Sequence, residues 1–240
     1  MMHTPEDITA VVLCGGKGTR LRSLVPDRPK ALVSVGGREV IFRVLDWLAE
    51  SGIRRCVLCT GFMGEAIRES VGETYGAMRI EYSHESRTLG TGGAALKAVD
   101  DLGIDQCLVL NGDTLFDAPL RPFLEWSAGI DEQAGIMLTA MEDARDYGLI
   151  LLDPNGRVES FREKPTQPEP GLVNAGVYYF RRSVFSAFPP DTELSMEKDV
   201  LPGLTRDGLA GFVFQGGFLD VGTPSRFADA NRRYGSESGA

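Results

Sequence analysis

Apolar positions in the first half of the chain alternate between two textures. Residues 8–14 (ITAVVLC) form a nearly continuous apolar run, rich in β-branched side chains, that ends at Gly15-Gly16; this predicts a strand buried on both faces. Ile41, Val44, Leu45 and Leu48 then recur at helical spacing, Gly52 closes that segment as a C-cap, and residues 55–60 are apolar again. The alternation continues with a helix over 65–71, a strand over 78–83, a helix over 92–99 and a strand over 106–110. Strand and helix taking turns predict a mostly parallel sheet with helices on both faces.

After about residue 120 the texture becomes α+β. Residues 148–152 and 157–161 flank Asp153-Pro-Asn-Gly156, which predicts a hairpin. The Pro-rich stretch 166–171 is short enough to be a surface loop joining strands, and residues 172–180 read as a further strand. Short apolar runs follow at 212–214 and 218–221, and Pro224 starts a helix reaching Tyr234 ahead of a small polar tail, 235–240. No internal repeat or low-complexity tract interrupts this order.

Composition narrows the classes of function. A chain of 240 residues with 42% hydrophobic and 25% charged residues can bury a sizeable core. Lys plus Arg number 25 against 34 Asp plus Glu, a net charge of −9, which argues against sequence-independent binding to nucleic acid or to an anionic membrane. Any phosphate must therefore be met by local positive charge. The four cysteines Cys14, Cys56, Cys59 and Cys107 lie in strand-like runs as small buried hydrophobes; Cys56 and Cys59 have metal-ligand spacing but no second pair, and on a strand they point to opposite faces. Residues 1–7 carry no basic stretch leading into an apolar one, and no apolar run approaches ~18 residues, so the cytoplasm is the expected location.

Directly after the first strand comes Gly15-Gly16-Lys17-Gly18-Thr19-Arg20, whose glycines allow close backbone approach while Lys17 and Arg20 add charge. It lacks the Gly-Lys-Ser/Thr ending of a Walker loop and the third glycine of a dinucleotide loop. Taken alone it reads equally as a polyphosphate cradle or as a tight strand-to-helix connection. With Pro29-Lys30-Ala31-Leu32 downstream, however, the sequence resembles the sugar-1-phosphate nucleotidyltransferases, with their G-G-x-G-T-R…P-K-x-L/M signature. The resemblance runs in order through Leu89-Gly-Thr-Gly-Gly-Ala94, Leu110-Asn-Gly-Asp113, Tyr147-Gly148, Glu163-Lys164-Pro165, Asn174-Ala-Gly176 and Asp220-Val-Gly-Thr-Pro224. Ser83-His84-Glu85, residues 195–199 and residues 211–216 are similar to the D-glycero-α-D-manno-heptose 1-phosphate guanylyltransferase branch of that family.

The resemblance implies a Rossmann-like α/β fold of the nucleotide-diphospho-sugar transferase type, in one domain over residues 1–240. Roughly 1–120 would form the nucleotide half and roughly 121–234 a smaller α+β sugar-phosphate half, with 235–240 a flexible tail. It also implies attack of a sugar phosphate oxygen on the α-phosphorus of a nucleoside triphosphate. The nucleophile is already an anion, so the protein's task is positioning and charge neutralisation. Arg20 and Lys30 are assigned to the triphosphate, and Asp113 and Asp220 to Mg²⁺, which suits two hard carboxylates plus phosphate oxygens. Asp113 follows a strand, where open α/β sheets bind ligands; read without the resemblance it is a turn residue and Asp220 a helix-flanking one. Lys164 is assigned to the sugar's phosphate, and Glu163, Asn111, Asn174, Gly148 and Gly176 to the sugar. The pair Glu163-Lys164 otherwise reads as an exposed ion pair.

Leu13, Gly15, Gly16, Lys17, Gly18, Thr19, Gly90 and Thr91 complete the nucleotide side of the expected site, with Gly92 and Gly93 opening the next helix. Glu85 can accept from N1–H and N2–H₂ of guanine, or it is a solvated loop charge. The expected partners are a nucleoside triphosphate and a sugar 1-phosphate, with room for a homo-oligomer and with neither nucleic acid nor membrane. Alternatives are UTP or GTP with mannose or N-acetylmuramic acid 1-phosphate, or a non-catalytic regulatory subunit that binds the nucleotide sugar. A dinucleotide-dependent oxidoreductase is disfavoured by the missing third glycine.

Overall fold

The structure is a computed structural model and describes residues 7–16, 18, 20–21, 25, 27–162, 164–205 and 208–235. One ten-stranded sheet runs through both halves of the chain. Its strands are β1 (Thr9–Leu13), β2 (Arg55–Thr60), β3 (Thr74–Tyr75), β4 (Met78–His84), β5 (Gln106–Asn111), β6 (Ala134–Met141), β7 (Leu149–Leu152), β8 (Val158–Arg162), β9 (Gly171–Arg181) and β10 (Leu209–Val213). The main path runs β8-β7-β9-β5-β1-β2-β4-β3, and β6 lies against both β9 and β10. β5, β1, β2 and β4 are parallel, as the alternation of elements predicts. The second half does not build a sheet of its own: β9 pairs antiparallel with β5, so the strands of the second half extend the parallel core into a mixed sheet.

The helices are α1 (Val40–Glu50), α2 (Gly64–Val71), α3 (Gly90–Asp101), α4 (Arg121–Ser127) and α5 (Pro224–Gly235). They cover opposite faces because alternate β1 side chains point opposite ways. Ala10 and Val12 pack in one core cluster with Ile41, Val44, Leu45 and Leu48 of α1. Val11 packs in the other with Ala95, Leu96 and Val99 of α3. Cys56 and Cys59 fall in these two different clusters, so they face apart and are free thiols in the core. Among the described residues no helix is long and apolar enough to cross a membrane.

Two local devices shape the functional edge. The short strands Thr114–Phe116 and Phe218–Asp220 pair antiparallel and bring Asp220 opposite Thr114. β9 breaks register against β6 between Asn174 and Tyr178, and Gly176 there has φ +76°. Such bulges redirect side chains beside functional sites. β3, β6 and α4 are the sheet strands and the helix for which the apolar pattern gave no prediction. β7–β8 and α5 form where it placed them.

Candidate active site

The carboxyl ends of β1, β2, β4 and β5 open on a cleft of about 740 Å³, the position at which open α/β sheets bind ligands. On the nucleotide side Leu13, Gly15, Gly16, Arg20, Glu85, Gly90 and Thr91 line it. A smaller hollow of about 220 Å³ adjoins and is walled by Gly18, Arg20, Lys30 and Asp113. Lys17, Thr19 and Glu163 lie outside the described residues. On the opposite side Asn111, Lys164, Asn174 and Gly176 line the cleft. Gly148 does not: the side chain it lacks would face the Arg162 carbonyl at 3.3 Å, while its neighbours Asp146 and Tyr147 stand in the cleft wall. Gly148 directly precedes β7, whose first residue Leu149 pairs with Arg162 of β8.

Asp113 and Asp220 are 107 positions apart (220 − 113) and meet around a single cation. Lys30 Nζ donates to Asp113 Oδ2 and lies 3.9 Å from Asp220 Oδ1. The short strand pair supplies this convergence, and the bond from Val221 N–H to the Asp113 carbonyl (3.0 Å) locks it. Asp220 is held further, Oδ1 by the Gly222 N–H and Oδ2 by Arg226 Nη1 at 2.7 Å. Lys30 starts a single 3₁₀ turn after Pro29, and its side chain is 16% exposed, so it is aimed by its surroundings rather than free in solvent. Two carboxylates facing one cation form a hard-oxygen donor pair of the kind that suits a divalent metal also ligated by phosphate oxygens. No cluster of three or more His, Cys, Asp or Glu suited to a metal occurs among the described residues, so this pair would rely on the substrate for its other ligands.

Glu85 is braced rather than solvated. Its Oε2 accepts from Leu89 N–H at 3.0 Å, and its other oxygen occupies the space that a Cβ on Gly15 (2.5 Å) or Gly61 (2.8 Å) would need. Glycine at those two positions is therefore what admits a carboxylate beside the loop. In the segment from Leu89, α3 begins at Gly90, two residues earlier than its apolar pattern suggested. The glycines there serve a backbone contact: Gly92 and Gly93 donate to the Leu194 carbonyl at 2.8 and 3.2 Å, and a Cβ on Gly93 would come 2.3 Å from the Thr192 carbonyl. Thr91 Oγ1 accepts from Met196 N–H at 2.9 Å, so its hydroxyl clamps this joint between the two halves.

At the bulge Asn174 Oδ1 accepts from Gly176 N–H (2.8 Å) and its Nδ2 donates to the Tyr178 hydroxyl (2.7 Å). The Asn111 amide fills the space over Gly176, 2.6 Å from where a Cβ would be. Burial pushes the Cys14 thiol up to about 12, with the charge of Asp113 adding to the rise, so no thiolate competes for cations at neutral pH. Sequence reasoning gave no role to Arg226, Asp146, Tyr147 or Glu197, which also line the cleft. Arg226 was recoverable in part, because Thr223-Pro224 is an N-cap and first-turn signal that fixes where the next side chains point.

A glycine loop, clustered cations and a convergent carboxylate pair at strand ends define a site for phosphorylated ligands of nucleotide size. The comparisons with known proteins agree with that class. A model of the nucleotidyl transferase family matches residues 9–237. The chain is 34% identical over 226 residues to a mannose-1-phosphate guanylyltransferase of Mycobacterium tuberculosis, spanning 92% of this chain but 63% of the relative. It is 31% identical over 224 residues to a D-glycero-alpha-D-manno-heptose 1-phosphate guanylyltransferase of Aneurinibacillus thermoaerophilus, spanning 93% of this chain and 96% of the relative. A crystal structure of HddC from Yersinia pseudotuberculosis complexed with GMP-PN superposes with a TM-score of 0.82 at 29% identity, covering 95% of this chain and 99% of that one. The chain belongs to the nucleotidyl transferase family and is a sugar-1-phosphate nucleotidyltransferase.

Proposed function

We propose that the protein transfers GMP from GTP to D-glycero-α-D-manno-heptose 1-phosphate, releasing pyrophosphate, with Mg²⁺ as the divalent ion and the cytoplasm as its compartment. The observation that carries the reading is the meeting of Asp113 and Asp220 around Lys30 beside the glycine loop. Guanine is favoured by the names of the relatives and by the braced Glu85 carboxylate, which can accept from N1–H and N2–H₂. The heptose is favoured over mannose because the heptose relative is matched over nearly its whole length. Mannose 1-phosphate is the second reading, supported by the 34% identity to the mycobacterial enzyme.

In this reading the glycine loop and Arg20 hold the triphosphate, and Lys30 offsets charge near the reacting phosphorus. Asp113 and Asp220 would hold Mg²⁺, which when bound neutralises phosphate charge and polarises the P–O bonds. Lys164 brings in the sugar's phosphate, and Asn111 and Asn174 at the bulge border the sugar. A phosphate oxygen of the sugar forms the new bond to the α-phosphorus as the bond to pyrophosphate breaks, so no general base is needed.

The test is pyrophosphate release with Mg²⁺ across GTP, UTP, CTP, ATP and dTTP against heptose, mannose, glucose and N-acetylmuramic acid 1-phosphates. Release confined to GTP with the manno-configured heptose is expected. Release with GTP and mannose 1-phosphate alone replaces the acceptor, and nucleotide binding without release with any acceptor favours the regulatory subunit. Glu85→Gln is expected to lower the preference for GTP, and an unchanged preference removes Glu85 from the base site.

A further inference from the structure

Arg226 stands in the cleft wall with no part in the assignments above. It leaves the first turn of α5, where its own N–H is 3.4 Å from Thr223 Oγ1, so the helix start fixes its root. Its Nη1 donates to Asp220 Oδ2 at 2.7 Å, its Nη2 lies 3.4 Å from Asp146 Oδ2, and its guanidinium carbon sits 5.0 Å from the centroid of the Tyr147 ring. The side chain is 21% exposed. Those two bonds use two of the five N–H groups of a guanidinium. The far oxygen of Asp220 is 3.9 Å from Lys30 Nζ, so Arg226 stands one carboxylate's width from the reacting centre, on the side of Tyr147.

We infer that Arg226 binds the phosphate of the acceptor, gripping it together with Lys164 while Asp220, Asp146 and the Tyr147 ring hold the guanidinium plane. The inference rests on the proposed nucleotidyl transfer. An acceptor phosphate carries about two negative charges at neutral pH and must approach a triphosphate that is also anionic. Arg20 and Lys30 lie on the loop side of the cleft and serve the triphosphate, so the acceptor needs cations of its own. A planar fork carries its donors in fixed directions, so it can hold the carboxylates through one part and present another to a phosphate, an orientation that a lysine point charge does not fix. The acidic neighbours balance the fixed positive charge before substrate arrives, and their bonds pre-orient the fork so that little side-chain entropy is lost on binding.

The experiment measures equilibrium binding on the full chain with MgCl₂ and α,β-methylene GTP, whose pyrophosphate cannot leave. The titrant is the sugar 1-phosphate that the wild type turns over. Arg226→Met is expected to weaken sugar 1-phosphate binding by about 10–100-fold, the value of a charge-assisted pair of hydrogen bonds. Binding of α,β-methylene GTP should stay within ~2-fold, because the triphosphate is held by other residues. Arg226→Lys keeps the charge without the fork, should recover only part of the affinity, and stands in if the methionine variant does not fold. Sugar 1-phosphate affinity equal to wild type in both variants overturns the proposal. A loss of nucleotide affinity as large as the loss of sugar affinity also overturns it, since Arg226 would then act only by holding Asp220. A wild type that turns over no sugar 1-phosphate overturns the functional reading and this proposal with it, an outcome distinct from an active wild type with indifferent variants.

Discussion

Alanine at Gly156, Gly176 and Gly90 separates backbone strain from steric contact within one protein. The three have closely similar positive φ values, +81°, +76° and +72°, so each substitution carries similar strain. What the new Cβ meets differs. At Gly156 nothing lies within 4 Å, at Gly176 the Cβ would be 2.6 Å from Asn111 Nδ2, and at Gly90 it would be 2.4 Å from the Leu194 carbonyl oxygen. Strain of ~1–2 kcal/mol, less ~0.4–1 kcal/mol for the stiffer unfolded chain, leaves a destabilisation of ~0.5–1 kcal/mol for Gly156→Ala. Gly176→Ala adds the displacement of a side-chain end and should reach ~2 kcal/mol, whereas Gly90→Ala must move backbone that is hydrogen-bonded to Gly92 and should cost ~3 kcal/mol or more. Urea titration gives the ranking from shifts in midpoint at constant slope. Pyrophosphate release should remain near wild type in Gly156→Ala and fall in Gly176→Ala, where the Asn111 amide in the cleft wall is pushed aside. Equal destabilisation at all three sites, or Gly156→Ala as the worst, refutes the packing described for the cleft.

Lys30→Met leaves Asp113 and Asp220 without their shared cation and is expected to lower the rate of pyrophosphate release about 100-fold, with Lys30→Arg recovering part of it. Burial pushes Cys14 and Cys107 up to about 12, with the charge of Asp113 adding at Cys14, and raises Cys56 and Cys59 well above their ordinary value. A chromogenic disulfide reagent at pH 8 should therefore leave the native protein unlabelled and titrate all 4 thiols on unfolding. The hydrogen bond from Arg55 (2.6 Å) is the chief cause that holds Glu81 below its ordinary 4.5. A depressed carboxyl pKa stabilises the fold above that value, and the stabilisation is lost as pH falls through the folded pKa. Arg55→Met should thus lower Tm at pH 6 and lose its effect in strong acid, with a size within about 1 kcal/mol because the pair is partly exposed.

The parallel core was legible because each of its strands is a compact apolar run and each helix repeats at its own period. β6 was not, although it lies at the centre of the second half. Its Ala134-Gly-Ile-Met-Leu-Thr-Ala140 has few β-branched residues, and its strand state comes from pairing with β9 and β10 on either side, contacts remote in sequence. A Cβ on Gly135 would come 2.8 Å from the Trp126 ring, so that glycine marks close packing under α4 rather than a turn. The motifs at strand ends announced the cleft, since Gly15, Asn111 and Asp113 follow directly from strands that the pattern predicts. The Arg226–Asp146 contact, 80 positions apart, has no local signature and exists only once the Asp220 strand returns beside Asp113. The Tyr147-Gly148 motif likewise stands at the cleft, with Tyr147 in its wall and Gly148 just behind it, directly before β7.

The most direct measurement follows the oxygen atoms of the acceptor. Heptose 1-phosphate labelled with ¹⁸O in its phosphate is incubated with the protein, GTP and Mg²⁺, and both products are weighed by mass spectrometry. Attack of the sugar phosphate on the α-phosphorus predicts that all the label appears in the nucleotide sugar, with one unlabelled pyrophosphate formed per molecule. Label in the pyrophosphate, or a labelled sugar phosphate recovered unchanged while GTP is consumed, contradicts the account.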